Sequence, residues 1–522
     1  MSLSPRFRFS VPRSSAALRI FIAFFVIYAV TSSGGLDAID AELRYQTAKS
    51  WLAGNAGALP LEFGPNAVPG RDGHQYSFYG PLQSVLMTPF IAIIERIAPG
   101  HSEQLFKLVF GVVAIPLITA ISLAALFQAL RTLRFDERAA FWAVCLVGLA
   151  TPMWYYGRSG QEENIIGLAF ALYLWGIGQL FEKRFDGLRL IAIAASIVFA
   201  TRWSYLPTLA IILVPVPLLL WEARTDWRSW LRPLVVGVAF ASAVLGAVLW
   251  YNAYRFGSPL ETGYGVYFRI YPPFFTFDQA PSHAAALVIS PYRGLIWFCP
   301  ALLLLFGLMK VPKGSYEPKL WRATLGAWIF TWLFIASFSV WTSGAAWSPR
   351  YLIAPIVLLA PAFASVFASG QRWLTVIAIS IVVQFCSTLL PSSSEAIVYD
   401  TRNAEHPGTC TPWTCSCSAL CLRGPWAARA IANTISSRDL PVVELKPSAK
   451  TPGGISELET SDFNSVYWWP VRAAYRAHLL RPAVAFALCM VILGAACSWL
   501  WYFYRSLPRP LSYDRAKPTP ST

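Results

Sequence analysis

The chain has 522 residues, of which 56% are hydrophobic and only 13% charged, and it carries a net charge of +15. Soluble domains are about a quarter charged, so water is not the main solvent of this protein. Because its Arg and Lys residues sit in short loops between apolar runs, the positive balance reports membrane topology and argues against nucleic-acid binding.

The first apolar run, about residues 16 to 31, follows Arg6, Arg8 and Arg13 and contains Arg19. Small residues near Thr31 to Ser33 could mark a cleavage site. A multispanning body follows, so the run is expected to stay as an uncleaved first helix with its N-terminus inside. Further spans are expected at about 104–130, 139–156, 164–182, 188–204, 206–222, 233–254, 288–309, 322–341, 350–368, 372–390 and 481–504, each near the length that crosses a hydrocarbon core of about 30 Å. The fold class is therefore an all-α polytopic membrane protein of about 12 transmembrane helices, with extracytoplasmic loops and juxtamembrane helices.

Alternation tests this assignment. It puts Arg131/Arg134/Arg138, Lys183/Arg184/Arg189, Arg224/Arg228/Arg232, Lys310/Lys313/Lys319/Arg322, Arg372 and Arg505/Arg509/Arg515/Lys517 on one side, which the positive-inside rule makes the cytoplasm. Counting the apolar stretch from Leu82 to Ile97 as a span would break that pattern, so it reads as a juxtamembrane or re-entrant helix of the first outer loop. Arg472, Arg476 and Arg481 run against the rule. Aromatic clusters such as Trp154-Tyr155-Tyr156 and Tyr467-Trp468-Trp469 fall where spans should end, as interfacial belts do.

Three organisational units follow: a transmembrane module over 1–390 with a first outer loop at 34–103, a small extracytoplasmic cysteine-containing region over 391–480, and a last helix with a cytoplasmic tail over 481–522. The middle region holds Cys410, Cys415, Cys417 and Cys421. Their spacing is not a usual structural zinc pattern, and in an oxidising compartment two disulfides are expected, with the connectivity open. Cys145, Cys299, Cys386, Cys489 and Cys497 lie in or beside apolar runs and read as packing residues.

The densest chemistry lies just past the first span, in Gly35-Leu36-Asp37-Ala38-Ile39-Asp40-Ala41-Glu42-Leu43-Arg44-Tyr45. It opens an amphipathic helix running to about Trp51, on which Asp40 and Arg44 stand four residues apart. The plain alternative is helix capping by Asp37 or Asp40. The loop continues through Arg71, Asp72, His74 and Tyr76 to Gly80-Pro81 before the apolar helix, a place where a lipid-borne polar group can meet a soluble acceptor. A second acidic pair, Glu162-Glu163, follows Trp154-Tyr155-Tyr156-Gly157-Arg158. With Asp40 it could hold a divalent cation or orient an acceptor, since hard cations take carboxylate oxygens; capping is again the alternative.

These motifs, with Tyr76-Ser77-Phe78-Tyr79-Gly80-Pro81, the stretch from Tyr251-Asn252-Ala253-Tyr254-Arg255-Phe256-Gly257-Ser258-Pro259-Leu260-Glu261 through Thr262-Gly263-Tyr264-Gly265, Ser290-Pro291-Tyr292-Arg293-Gly294-Leu295 and Trp341-Thr342-Ser343-Gly344-Ala345-Ala346-Trp347-Ser348-Pro349-Arg350-Tyr351-Leu352, resemble those of the GT-C glycosyltransferases. The specific likeness is to bacterial relatives of protein O-mannosyltransferases and of the lipid A aminoarabinose transferase, families 39 and 83, in order over about residues 16–390. The chain departs from the pattern at the acid: Ala41 separates Asp40 and Glu42 where the family commonly has adjacent Asp-Glu.

The resemblance implies a hexosyltransferase of the bacterial inner membrane with its site facing the periplasm. Such an enzyme moves a sugar, with inversion, from a polyprenyl-phosphate donor to a glycan, lipid or protein acceptor. Asp40 is the first candidate for the general base, with Asp37 and Glu42 behind it; partial desolvation at the interface is expected to raise its pKa. Arg158, Arg202, Arg293 and Arg350, at expected outer helix ends, are candidates for the leaving phosphate. The runner-up is a transporter or flippase of lipid-linked intermediates, and an O-antigen polymerase or ligase is a third reading. No Gly-rich nucleotide loop stands in the cytoplasmic segments, so direct use of ATP or a nucleotide sugar is not expected.

Overall fold

The computed structural model describes residues 13–60, 67–310, 318–342, 346–370, 373–391, 408, 410–436 and 465–508. Half of the 391–480 region, the start of the chain, its tail beyond 508, Lys313 and Arg372 lie outside the described residues. The chain is built almost wholly from helices. In order these are α1 (Arg13–Thr31), α2 (Ile39–Leu52), α3 (Leu82–Ile97), α4 (Ser102–Val109), α5 (Ile115–Thr132), α6 (Glu137–Leu149), α7 (Met153–Tyr156), α8 (Glu163–Phe181) and α9 (Gly187–Thr201). They continue as α10 (Leu206–Leu213), α11 (Pro215–Glu222), α12 (Trp227–Phe256), α13 (Gly263–Ile270), α14 (Ala280–Ile289), α15 (Leu295–Phe298), α16 (Pro318–Ala336), α17 (Ala360–Ala368) and α18 (Leu374–Thr388). The last three are α19 (Ala419–Ser436), α20 (Trp469–Arg476) and α21 (Pro482–Ser506).

Six helical segments among the described residues are long and apolar enough to cross a membrane: Pro99–Thr132, Glu163–Phe181, Trp203–Glu222, Arg224–Phe256, Arg350–Ala368 and Pro482–Ser506. Shorter apolar helices, including Ala16–Thr31, Gly187–Thr201 and Leu374–Thr388, accompany them. The chain is thus an all-α, multi-pass membrane protein, in which six apolar helices among the described residues have full spanning length and six are shorter. Two expected spans are broken. The run at 139–156 divides into α6 and α7 at Thr151-Pro152, and the run at 288–309 divides at Ser290 to Gly294 into α14, α15 and a 3₁₀ stretch, Pro300–Lys310. Pro at the turn and Gly294, whose Cβ would lie 2.4 Å from the Ser290 carbonyl oxygen, account for the second break.

The main apolar cluster draws on α1, α5, α6, α8, α9, α17 and α21, and two smaller clusters lie around α2, one against α3 and α4 and one with Leu59, Ala67 and Tyr79 of the first loop. The long helices also bear outward Val, Leu, Phe and Trp on α12 and α21, such as Val235, Val238, Phe240, Val491 and Trp501, as lipid-facing surfaces do. One end of the bundle gathers basic residues: Arg131 pairs with Glu137 at 2.6 Å, Arg138 donates to the Leu507 carbonyl at 2.9 Å, and Arg19 lies over Phe503. The opposite end holds the exit of α1, the start of α8, the exit of α9 and the first loop. Arg472 sits there too, donating to the Ser33 carbonyl at 3.1 Å and stacked on Tyr467. Arg472 thus ties α20 to the end of α1.

The first loop is ordered by α2, by α3 and by a small antiparallel sheet. Its strands are β1 (Ala58–Leu59), β2 (Ala67–Pro69) and β3 (Gln75–Ser77), in spatial order β1-β3-β2 with Val68 opposite Tyr76. α3 matches its expected limits, Leu82 to Ile97, and is not among the segments long enough to span. Arg255 at the end of α12 clamps the sheet. It donates to the Ser77 carbonyl at 2.6 Å and to Asn252 Oδ1 at 2.8 Å, between the rings of Tyr251 and Phe256. This gives the Tyr251 to Phe256 motif a physical role.

Candidate functional site

Ser32 and Ser33 follow α1, and the chain turns through Gly34 and through Asp37 at φ +55° into α2. The N-cap of α2 is Ala38, which offers no side-chain cap, so neither Asp37 nor Asp40 holds the N-cap position. Asp40 instead points into the protein, where α2 meets α8, α9 and the turn before α17.

Six charges converge there. Arg350 Nη1 lies 2.5 Å from Asp40 Oδ2, and its Nε binds Glu163 Oε1. Arg202 Nη1 lies 2.8 Å from Glu162 Oε1 and 3.4 Å from Glu163 Oε1. Arg44 Nη2 pairs with Glu162 Oε2. The expected Asp40–Arg44 helix pair is therefore replaced by a pair 118 positions apart. Glu162 and Glu163 are fully buried, and Arg44, Arg202 and Arg350 are nearly so. Three carboxylates against three guanidiniums leave the cluster neutral, which is how so many buried charges can persist. Tyr79 completes it: its hydroxyl donates to Asp40 Oδ1 at 2.5 Å, and Arg44 lies 4.1 Å from its ring centre.

The backbone around the cluster is close-packed. A Cβ at Gly80 would lie 2.4 Å from the Ala200 carbonyl oxygen, and one at Gly160 would lie 2.5 Å from that of Leu36. The Gly160 N–H donates to Leu36 O at 3.0 Å, and Gln83 Nε2 donates to Gly160 O at 2.6 Å. Glycine at 80 and 160 thus lets the loop, α8 and α9 approach closely enough for their charges to meet.

Burial alone would raise the pKa of Asp40. The guanidiniums of Arg350 and Arg44 and the Tyr79 hydroxyl outweigh it, and hold the carboxyl well below the usual carboxylate range. This corrects the expectation of a raised pKa: the group is desolvated, but among cations. Asp37 behaves as that expectation had it. Burial raises its pKa, with Arg158, Ser33 and Arg472 opposing. Burial, and then the neighbouring Asp40, also raise Tyr79 well above an ordinary phenol, so it stays a proton donor.

The other residues singled out from the sequence divide. Glu42 faces away from the cluster, bound to Gln46 at 2.9 Å and to Lys107 at 3.0 Å. Arg158 is buried, donates weakly toward the Ser387 and Leu390 carbonyls, and stacks on Tyr155. Arg293 binds the Ala346 carbonyl and lies over Tyr292. Neither forms an ion pair with the three carboxylates. Arg71 and His74 are exposed; His74 pairs with Asp72 at 3.2 Å, and Tyr76 donates to Asp72 at 2.8 Å. No group of three His, Cys, Asp or Glu side chains arranged to hold a metal occurs among the described residues, each acid of the cluster facing a guanidinium. Cys410 is bonded to Cys417 and Cys415 to Cys421. Cys299 and Cys489 are buried, whereas Cys497 is exposed on α21.

Beside the cluster opens a cavity of about 370 Å³ with two characters. Arg202, Thr262, Tyr264 and Tyr351 form its polar end, and Phe268, Phe274, Phe334, Phe338 and Val340 its apolar wall. Arg202 belongs to both cavity and cluster, and lies 4.8 Å from the Tyr351 ring centre. Within the cluster, Arg44 Nε and Nη1, Arg350 Nη2 and Glu163 Oε2 are buried without a hydrogen-bond partner. Buried guanidinium donors left over in this way suit an incoming anionic oxygen.

Sequence reasoning did not single out Tyr79, Tyr264 or the Arg44–Glu162 pairing. Tyr79 stands inside a quoted motif, but nothing local to the sequence indicates that it meets Asp40, 39 positions earlier.

No protein-family model and no curated protein matches the chain. Among solved structures, its fold is similar to that of ArnT from Cupriavidus metallidurans, in a crystal structure bound to undecaprenyl phosphate and in one of the apo state. Each is 13% identical, with a TM-score of 0.48 and coverage of 95% of this chain and 78% of that chain. It is also similar to the arabinosyltransferase EmbB from Mycobacterium smegmatis, at 12% identity and a TM-score of 0.42, with 97% of this chain and 42% of that chain covered.

Proposed function

We propose that this protein is a membrane glycosyltransferase that moves a sugar from a polyprenyl-phosphate donor to a glycan, lipid or protein acceptor, with inversion, at the extracytoplasmic face of a bacterial inner membrane. The observation that carries the reading is the junction of the amphiphilic cavity with the neutral cluster of Asp40, Glu162, Glu163, Arg44, Arg202 and Arg350. An isoprenoid chain needs an apolar wall, its phosphate needs guanidinium, and an acceptor hydroxyl needs a carboxylate within reach. All three stand within one contact chain through Arg202.

The roles follow from the contacts. Arg202, shared by cavity and cluster, receives the donor phosphate, and Arg350 neutralises the charge that grows on it as the glycosidic bond breaks. Glu162 and Glu163 hold the two arginines in place. Asp40 takes the proton of the acceptor hydroxyl, whose oxygen attacks the anomeric carbon from the face opposite the departing phosphate. As long as Arg350 and Arg44 clamp it, Asp40 is a weak base. A donor phosphate that draws Arg350 toward itself relaxes that clamp and strengthens the base when the donor is in place.

The test is transfer from a panel of radiolabelled polyprenyl-phosphate sugars to membrane acceptors, comparing wild type with Asp40→Asn at matched expression. General-base loss should lower kcat by about 10²–10⁴-fold. Retained transfer in Asp40→Asn would move the base elsewhere. No transfer from any donor, together with translocation of a fluorescent lipid-linked sugar in proteoliposomes, would instead establish a flippase.

A further inference from the structure

The two disulfides close the turn that leads into α19, one of them reaching Cys421 in its first turn, and that turn rests on the Ser290 to Gly294 break between α14 and α15. The Ser418 hydroxyl donates to the Pro291 carbonyl, and the Tyr292 N–H donates to the Pro412 carbonyl at 3.4 Å. From this knot α19 carries Arg423, which is 2% exposed. It donates to the Pro391 carbonyl at 3.1 and 3.2 Å, and its guanidinium carbon lies 4.9 Å from the ring centre of Trp347.

Trp347 begins the four-residue turn that ends in Arg350. The turn is held from several directions. The Trp347 indole N–H donates to Gln384 Oε1 at 3.3 Å, the Phe298 ring meets the indole edge-on at 4.8 Å, and the Tyr156 hydroxyl donates to the Trp347 carbonyl at 2.6 Å. Arg293 binds the carbonyl of Ala346. Between Trp347 and Arg350, Ser348 adopts φ +61°, a conformation that a non-glycine residue keeps only where its surroundings impose it.

We propose that Arg423 is a positioning residue. Its guanidinium pins Trp347, and through the Trp347 to Pro349 turn it aims Arg350 at Asp40 and Glu163. The cysteine region would thus be a brace that fixes the pairing of the candidate site from outside the transmembrane module. The effect on turnover rests on the glycosyl-transfer reading above, whereas the effect on the turn does not.

Two readouts on the full-length protein in nanodiscs separate these. In Arg423→Met, hydrogen exchange in the peptide 346–352 should quicken while peptides from α5 and α8 exchange as in wild type, and Arg423→Lys should restore part of the protection. In the transfer assay Arg423→Met should lower kcat about tenfold with little change in donor KM, the order of one desolvated cation–π contact. In an Arg350→Lys background the same substitution should change kcat by less than about twofold, since groups acting in one chain are not additive. Unchanged exchange at 346–352, equal quickening in α5 and α8, or a full tenfold further loss in the Arg350→Lys background would overturn the positioning role. If wild type transfers from no donor, the functional reading fails, and the exchange result still decides whether Arg423 holds the turn.

Discussion

Replacing Arg350 by Met keeps most of the side chain's volume but removes a guanidinium that touches Asp40 at 2.5 Å, binds Glu163, and stands 3.9 Å from Glu162. Three buried carboxylates would then face two arginines. Breaking a buried pair in this way costs about 3–5 kcal/mol, most of it the desolvation of the charge left behind. The loss should appear as a lower free energy of unfolding in detergent at pH 7. Adding Glu163→Gln to Arg350→Met restores neutrality, with Asp40 and Glu162 against Arg44 and Arg202, and should recover more than half of the lost stability. It should not recover transfer, because the guanidinium assigned to the phosphate is still absent. The argument fails if Arg350→Met unfolds within about 1 kcal/mol of wild type, which is the range of a solvated surface pair, or if the double variant is no more stable than the single one.

Three further outcomes follow from the same geometry. Asp40 has a folded-state pKa below its unfolded value of about 3.9, so its stabilisation is fully present above that value and is lost as pH falls toward the folded pKa. The unfolding free energies of wild type and Asp40→Asn should therefore differ most near neutrality and converge below about pH 3.9. Asp37 has the opposite sign: its folded pKa is raised, so the native state binds the proton more tightly and gains stability as pH falls through that value. Asp37→Asn should leave stability at pH 7 unchanged or higher, abolish that acid gain, and retain transfer, as read by pH-dependent denaturation and the donor assay. Arg202→Met, at the polar end of the cavity, should raise donor KM more than it lowers kcat; a change confined to kcat would place the phosphate elsewhere.

What was legible in the sequence is what sequence encodes locally. The apolar run and its flanks set α3 at Leu82 to Ile97, and the acidic segment after the first span opens α2, which runs one residue past Trp51. In the 288–309 run, continuity of hydropathy conceals the turn at Ser290 to Gly294, although Pro291 and Gly294 stand in plain view. Asp40, Glu162, Glu163, Arg202 and Arg350 could be picked out as outer-end charges, but their pairing could not. Arg350 lies 310 positions from Asp40 and 187 from Glu163, and no local period links them. Arg158 and Arg293 carry the same surface signals as Arg202 and Arg350. Only the fold separates two that meet carboxylates from two that bind backbone carbonyls.

The neutrality of the cluster has a consequence for how such a site would work. A phosphate entering from the cavity adds negative charge to a region that already balances three against three, and no further described arginine pairs with these carboxylates to absorb it. On the transfer reading, some carboxylate must then give up its guanidinium. Glu162 can yield Arg202 and keep Arg44; Glu163 can yield Arg350 and keep Arg202 at 3.4 Å; Asp40 can yield Arg350 and keep the Tyr79 hydroxyl. Each acid retains one partner only if Arg202 keeps its 3.4 Å contact with Glu163 while it meets the phosphate, because Arg350 is the one other guanidinium that Glu163 pairs with among the described residues. Of the three, only Asp40 is left with a neutral hydroxyl as its hydrogen-bond partner, which makes it the carboxylate whose basicity rises most when the donor arrives.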